Sequence, residues 1–182
     1  MKYLLLFPIL LLIINLNAQT EKGSVLVGGN LALNTGEGAS EFTFSPDFGV
    51  FVANNFAIGG FLNFSDRKLG ETKFTDFGIG PFARYYFGNT STKPFVVSEF
   101  NYLTTTSKFE EQKNSTNGIG FLLGMGFAAF INEVVAVEGI SGYKYSKYNN
   151  ADGSNGFSLR FGFQIYLNNK SMKDLKKNVI GE

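Results

Sequence analysis

The chain has 182 residues, with 16 Lys and Arg against 15 Asp and Glu, and it contains no Cys, His or Trp. So even a balance gives no electrostatic footprint for nucleic acid, and the absence of Cys excludes a disulfide framework and thiol chemistry. The absence of His removes the usual base of a serine hydrolase, while 22 Gly with 21 Phe and 8 Tyr point to β-structure.

The chain opens with a short basic start, Met1 to Tyr3, an apolar run from Leu4 to Ile14, and Leu16-Asn-Ala18. This is the pattern of a secretory signal peptide over residues 1–18, with cleavage expected after Ala18. A permanent anchor is disfavoured, because a helix needs about 20 apolar residues to cross a bilayer. Removing that segment takes away one Lys and no acid, so residues 19–182 carry 15 basic and 15 acidic side chains.

From there the hydrophobic period is two, which is the period of a strand whose side chains leave alternate faces. The first strand is expected over 24–34, with Val25, Val27, Leu31 and Leu33 on one face. A loop over 35–40 leads to a second strand, 41–53, with Phe42, Phe44, Phe48, Val50 and Val52 on its apolar face. Asn54-Asn55 reads as a tight hairpin turn, because Asn tolerates positive φ. The third strand, 56–65, shows Ile58, Leu62 and Phe64, and a charged loop over 66–72 precedes the fourth, 73–87. There Phe77, Ile79, Ala83, Tyr85 and Phe87 oppose Asp76, Gly78, Gly80, Arg84 and Tyr86. Pro81 lies inside that strand and predicts a bulge, since proline cannot donate to a ladder.

The fifth strand, 94–104, alternates poorly: Val96, Phe100 and Tyr102 oppose Glu99 and Asn101, but Phe95, Val97 and Leu103 blur the pattern. A polar loop is expected over 105–117; its Glu110-Glu111 pair, set among lysines, reads as a solvated loop and not as a cation site. The sixth strand, 118–130, sets Ile119, Phe121, Leu123, Met125 and Phe127 against four glycines. Those glycines suggest no phosphate-binding loop, because no helix follows them. The seventh strand, 134–145, carries Val135, Val137, Tyr143 and Tyr145 against Glu138. After a loop over 146–155 the last strand, 157–167, alternates Phe157, Leu159, Phe161, Phe163, Ile165 and Leu167 with Ser158, Arg160, Gly162, Gln164 and Tyr166. Residues 169–182 form a lysine-rich tail.

Arg160, Gly162, Ile165 and Leu167 together resemble the C-terminal signal that hands outer-membrane barrels to their insertion machinery. Eight strands, with connections alternately short and long, resemble the small eight-stranded outer-membrane barrel family of the OmpA/OmpX or porin-family type over about residues 20–168. Gly80 to Phe87 is especially similar to that family, whereas the tail departs from it. The resemblance implies an all-β fold, an eight-stranded antiparallel up-and-down transmembrane β-barrel over 19–168, with the tail in the periplasm. It also implies a monomer in the outer membrane whose partners are lipid, the insertion machinery and any extracellular ligand at the loops.

Volume fixes the expected facing. Eight strands enclose a lumen only wide enough for side chains, and the Phe, Leu, Ile and Val face would overfill it. The small and polar face therefore belongs inside. On this reading Phe161→Arg or Leu123→Arg damages the barrel and Gly162→Ser is milder. Arg84, Glu99, Glu138 and Arg160 point inward, and a fourth turn centred near Ser91 places Arg84 opposite Glu99 and leaves Glu138 with Arg160. The expected function is a structural or surface-interaction role through the extracellular loops around Phe109 and Tyr148, with a largely occluded lumen, no cofactor, no metal and no catalysis. A narrow porin-like channel is the alternative, and a soluble lipocalin-like carrier of apolar ligands is the third reading.

Overall fold

The computed structural model describes residues 19–36, 39–109, 112–149 and 151–168. The expected signal peptide, the Glu110-Glu111 pair and the lysine-rich tail lie outside these residues. Eight strands form one closed antiparallel barrel: β1 (Val25–Gly36), β2 (Ala39–Ala53), β3 (Phe56–Leu69), β4 (Thr72–Tyr86), β5 (Thr92–Phe109), β6 (Gln112–Phe130), β7 (Val135–Tyr148) and β8 (Ser154–Leu167). Each strand pairs with the next in sequence, and β8 closes on β1 from Val25↔Leu167 to Leu31↔Phe161. Closure leaves no free sheet edge over this part of the wall, so its backbone donors and acceptors are satisfied without water.

The short turns gather at one end. Asn55 takes φ of 64° between β2 and β3, Gly88 takes φ of 75° after β4, and Asn132 Oδ1 accepts the amides of Val134 and Val135 before β7. Residues 19–24 tuck beneath this end, where Gly23 N donates to Phe51 O and Asn55 N donates to Thr20 O.

At the opposite end the strands run well past the expected limits. Much of the polar stretches 66–72 and 105–117 is strand, with pairing continuing to Leu69↔Thr72 and Phe109↔Gln112. The hydrophobic alternation stops earlier, whereas the hairpins' ladders continue between strands that carry Thr, Ser and Asn side chains. Thr106 Oγ1 and Ser115 Oγ lie 2.9 Å apart, and Thr104 Oγ1 donates to Asn117 Oδ1 at 2.9 Å.

Pro81 does not cause a bulge. Its pairing with Gly60 is in continuous register, and on the β5 side the ladder merely breaks between Ile79↔Tyr102 and Phe82↔Glu99 without slipping. Pro46 breaks the β2–β3 ladder in the same way, while the register shift falls between Phe51 and Ala53. Proline removes one donor, and each strand tolerates the loss on one side while staying paired on the other.

The apolar face is outside. Leu31, Phe48, Leu123, Met125, Phe157, Phe161 and Phe163 are all exposed, with Met125 at 67%. Tyr85 and Phe87 stack edge to face at 5.0 Å near the short-turn end, and Tyr102 and Tyr143 are exposed further up the wall. Inside, the small and polar face is joined by residues the alternation did not single out, among them Phe51, Phe61, Phe82 and Leu122. Phe95 and Val97, which blur the pattern of β5, also point inward at 1% exposure. The lower lumen is therefore filled by large rings packed around buried charges, and the upper lumen is open and polar.

Gly162 is more constrained than its position on the small inner face suggests. A Cβ there would come within 2.3 Å of Gly29 O and 2.6 Å of Asn30 Oδ1, because β8 presses directly on β1. The barrier to a side chain is partly backbone, so Gly162→Ser is not a mild change. We predict that Leu123→Arg in a lipid vesicle destabilises the barrel by about 2–4 kcal/mol at mid-membrane depth. Gly162→Ser should also destabilise it measurably, both read as shifts in the urea midpoint by circular dichroism. A neutral Gly162→Ser would mean that the β1–β8 contact is looser than its geometry.

Candidate functional site in the lumen

The centre of the lower lumen is the guanidinium of Arg84, which is 1% exposed. Alternation on β4 sends it inward beside Phe82 and Tyr86, and the space for it comes from glycines. A Cβ on Gly49 or Gly59 would meet Phe82 Cζ at 2.8 or 2.5 Å, and one on Gly126 would meet Phe95 Cζ at 2.6 Å. Because those positions lack side chains, the two rings lie flat enough against the wall to flank the cation. Arg84 Cζ sits 4.7 Å from the Phe82 ring centre and 5.5 Å from that of Phe95. Such contacts favour a desolvated guanidinium.

Two carboxylates balance it. Arg84 Nη2 donates to Asp47 Oδ2 at 2.9 Å, and Nη1 donates to Glu138 Oε2 at 3.0 Å. Both acids are held from their other oxygens: Gln164 Nε2 donates to Asp47 Oδ1 at 2.5 Å, and Tyr166 OH donates to Glu138 Oε1. The Tyr166 and Tyr86 hydroxyls lie 3.0 Å apart. Beneath them Phe51, Phe95 and Phe130 complete an aromatic floor, with Tyr86 and Phe95 ring centres 5.0 Å apart and Phe130 and Tyr166 4.8 Å apart. At the mouth itself, buried Lys93 donates to Thr20 Oγ1 at 3.0 Å, and Thr20 Oγ1 donates to Asn55 Oδ1 at 2.6 Å.

A second pair lies above this cluster. Arg160 Nη2 donates to Glu99 Oε1 at 2.6 Å, with both side chains largely buried. Over it opens a polar vestibule of about 330 Å³, whose lining includes Asn30, Glu41, Ser65, Asp76 and Lys144. Within it Thr105 donates to Asp76 Oδ1 at 2.6 Å and Ser65 donates to Glu41 Oε1 at 3.1 Å.

All four charges expected in the lumen are inside, but their pairing is different. Arg84 stands opposite Val97, and Glu99 stands opposite Phe82, so the β4–β5 hairpin is two residues tighter than a turn centred near Ser91 implies. Glu138 faces Gly162 across the β7–β8 ladder, which leaves Arg160 opposite Ile140. A slip of two preserves every facing, as the period of two requires, yet it changes every neighbour. The long side chains then meet across the narrow lumen instead of along the wall, giving Arg84 to Glu138 and Arg160 to Glu99. Asp47 is a third acid, set inward by the alternation of β2. Its distinguishing signal was available, since it is a carboxylate beside Pro46 at mid-strand, between Phe44 and Phe48.

The residues of the expected assembly signal also have definite places. Arg160 points inward to Glu99, Gly162 contacts β1, Ile165 is outward and 43% exposed, and Leu167 pairs with Val25. Among the described residues no group of three or more acids is arranged to hold a metal ion.

This architecture is that of the small eight-stranded outer-membrane β-barrels. The fold is similar to that of Neisserial surface protein A, with a TM-score of 0.59 and 17% identity over 79% of this chain and 94% of that one. It is similar too to the N-terminal β-barrel domain of Pseudomonas aeruginosa OprF, with a TM-score of 0.55 and 13% identity over 79% of this chain and 97% of that domain. The outer membrane protein OprG of Pseudomonas aeruginosa gives a TM-score of 0.51 and 13% identity over 84% and 99%. No protein-family model and no curated protein matches the sequence.

Because Arg84 serves two buried acids, removing it strands both. Arg84→Ala is expected to cost about 3–5 kcal/mol, the usual penalty for breaking a buried ion pair from one side. The double change Arg84→Ala with Glu138→Gln should cost less than the sum of its parts, measured by urea unfolding in vesicles. Additive costs would show that the groups do not act as one network.

Proposed function

We propose that the chain is an outer-membrane barrel with a structural or surface-interaction role, closed to solutes through its lower lumen and active through its extracellular rim. The observation that carries this reading is the contrast between the two halves of the lumen. Rings and a paired guanidinium fill the lower half, while the upper half is a polar cup continuous with long strand extensions. The continuous apolar belt outside suits lipid. On this reading the chain is exported by residues 1–18, the short-turn end faces the periplasm, and Arg160, Gly162, Ile165 and Leu167 engage the insertion machinery.

No catalytic role enters this proposal. A serine, threonine or tyrosine nucleophile in the vestibule would have only carboxylates and lysines as neighbouring bases, and the sequence offers no His or Cys. A channel remains the second reading because the vestibule penetrates as far as the Arg160–Glu99 pair. To become continuous, the path would have to pass both that pair and Arg84.

Location and conduction are tested together. The protein should fractionate with outer membranes and migrate faster unboiled than boiled on a denaturing gel. Reconstituted in planar bilayers, the wild-type barrel should show little or no steady conductance, and the double change Arg84→Ala with Glu138→Gln should conduct more readily. Recovery in the soluble fraction without detergent would remove the membrane reading. A large, stable wild-type conductance would move the protein to the channel class.

A further inference from the structure

On the outer surface, above the apolar belt, the strand register lines up four lysines. Lys68 on β3 is the cross-strand partner of Lys73 on β4, Lys73 is that of Lys108 on β5, and Lys108 is that of Lys113 on β6. Alternation places all four on the face that carries Phe64, Phe77, Tyr102 and Ile119 lower down, and all four are exposed. Neighbouring strands are about 4.8 Å apart, so the row is a cationic strip about 14 Å long. Like charges directly opposite one another destabilise a sheet. Three such contacts in succession, in a chain whose charges otherwise balance, call for an anionic counterpart.

The protein itself supplies little of it. Asp66 lies 2.9 Å from Lys73, with both side chains about half exposed. Among the described residues neither Lys68, Lys108 nor Lys113 makes a salt bridge. Glu71 stands at the turn beyond the row, and Glu110 and Glu111 lie outside the described residues.

What lies between the lysines and the belt identifies the counterpart. Below the row on the same outward face come Asp66, Thr75, Thr106 and Ser115, and on β5 and β6 also Thr104 and Asn117. Along these strands the wall thus presents three zones in order: apolar side chains, then hydroxyls, an amide and the one carboxylate of Asp66, then cations. Lys108 and Lys113 stand three outward positions beyond Tyr102 and Ile119, about 20 Å along the strand and roughly 14 Å in height at the usual barrel tilt. The headgroup zone of an ordinary bilayer adds only about 5–8 Å to each side of its hydrocarbon core, so a phospholipid phosphate stops short of Lys108 and Lys113, although Lys68 and Lys73 stand only two outward positions beyond Phe64 and Phe77.

An amphiphile whose charge is carried on a saccharide does reach them. We propose that this strip of β3 to β6 binds the phosphorylated headgroup of an outer-leaflet glycolipid. Its acyl chains would lie against the belt, its sugars against the hydroxyl zone and its phosphates along Lys68, Lys73, Lys108 and Lys113. This rests on the outer-membrane placement proposed above. The partner is a lipid of the surrounding leaflet, and the site is on the wall, separate from the lumen.

The test uses the full mature chain in detergent, with heat-dependent gel mobility reporting the folded barrel independently of any ligand. Purified lipopolysaccharide, the same material after enzymatic dephosphorylation, inorganic phosphate, and phosphatidylglycerol vesicles are each titrated against three proteins. These are the wild type, the variant Lys68→Gln, Lys73→Gln, Lys108→Gln, Lys113→Gln, and a control variant Lys22→Gln, Lys144→Gln, Lys147→Gln. Phosphorylated lipopolysaccharide should raise the unfolding temperature of the wild type and the control. Its apparent affinity for the four-lysine variant should be at least about tenfold weaker, since each Lys at an anionic surface contributes on the order of 1 kcal/mol. The dephosphorylated material and inorganic phosphate should have little effect, and added salt should weaken the wild-type response. Equal stabilisation by dephosphorylated material, equal binding by the four-lysine variant, or an equal response to phosphatidylglycerol would each overturn the proposal. A barrel that keeps its heat-dependent mobility but ignores lipopolysaccharide sinks this inference alone, whereas loss of that mobility in the wild type sinks the membrane reading beneath it.

Discussion

Space inside an eight-stranded wall is the constraint on which the rest of this molecule depends. The interior admits two large rings at the level of Arg84 only because Gly49, Gly59 and Gly126 leave the wall bare where Phe82 and Phe95 lie. Those rings cover the guanidinium, and the guanidinium in turn holds Asp47 and Glu138 inside a region that would otherwise reject them. Gln164 and Tyr166 occupy the remaining oxygens of the acids. The charge cluster is therefore a packing solution as much as an electrostatic one, and each charged member depends on neutral neighbours that give it room.

The same constraint divides the barrel lengthwise. Toward the short turns, rings and the residue 19–24 segment fill the bore, and buried Lys93 ties Thr20 to the wall. Toward the other end Asn, Ser and Thr side chains join Glu41, Asp76 and Lys144 on the lining, and a cup opens above Arg160 and Glu99. Along β3 to β6 the wall outside changes over a similar distance, from apolar side chains to mostly hydroxyls and then to lysines. Inner and outer faces thus both mark an up and a down, although alternation along any single strand specifies neither.

What could be read from the residues follows from this physics. Facing was legible almost everywhere, because a period of two survives any even slip and because only one face could fit inside. The strand limits above the belt were not legible, since Thr104, Thr106, Ser115 and Asn117 make ladders that carry no hydrophobic signal. Pairing inside the lumen was not legible either. It depends on the β4–β5 register and on how far an Arg side chain reaches across the bore, and neither quantity is local in sequence. Phe95 and Val97 look like errors of pattern on β5 because the bore near the short turns is apolar on its inner face too.

The reach of Arg84 has a consequence for how such a chain can be made. Its two acids come from β2 and β7, and Tyr86 meets Tyr166 across 80 residues of sequence. Any partly assembled wall of four or five strands would present a cation without one or both of its anions, with hydrocarbon as the only available surroundings. Intermediates of that kind are costly, and contacts so distant in sequence form slowly. If the chain folds into a membrane as proposed, insertion and closure would therefore come close to a single event, in which the last strand arrives before the first hairpins have been left to stand in lipid alone.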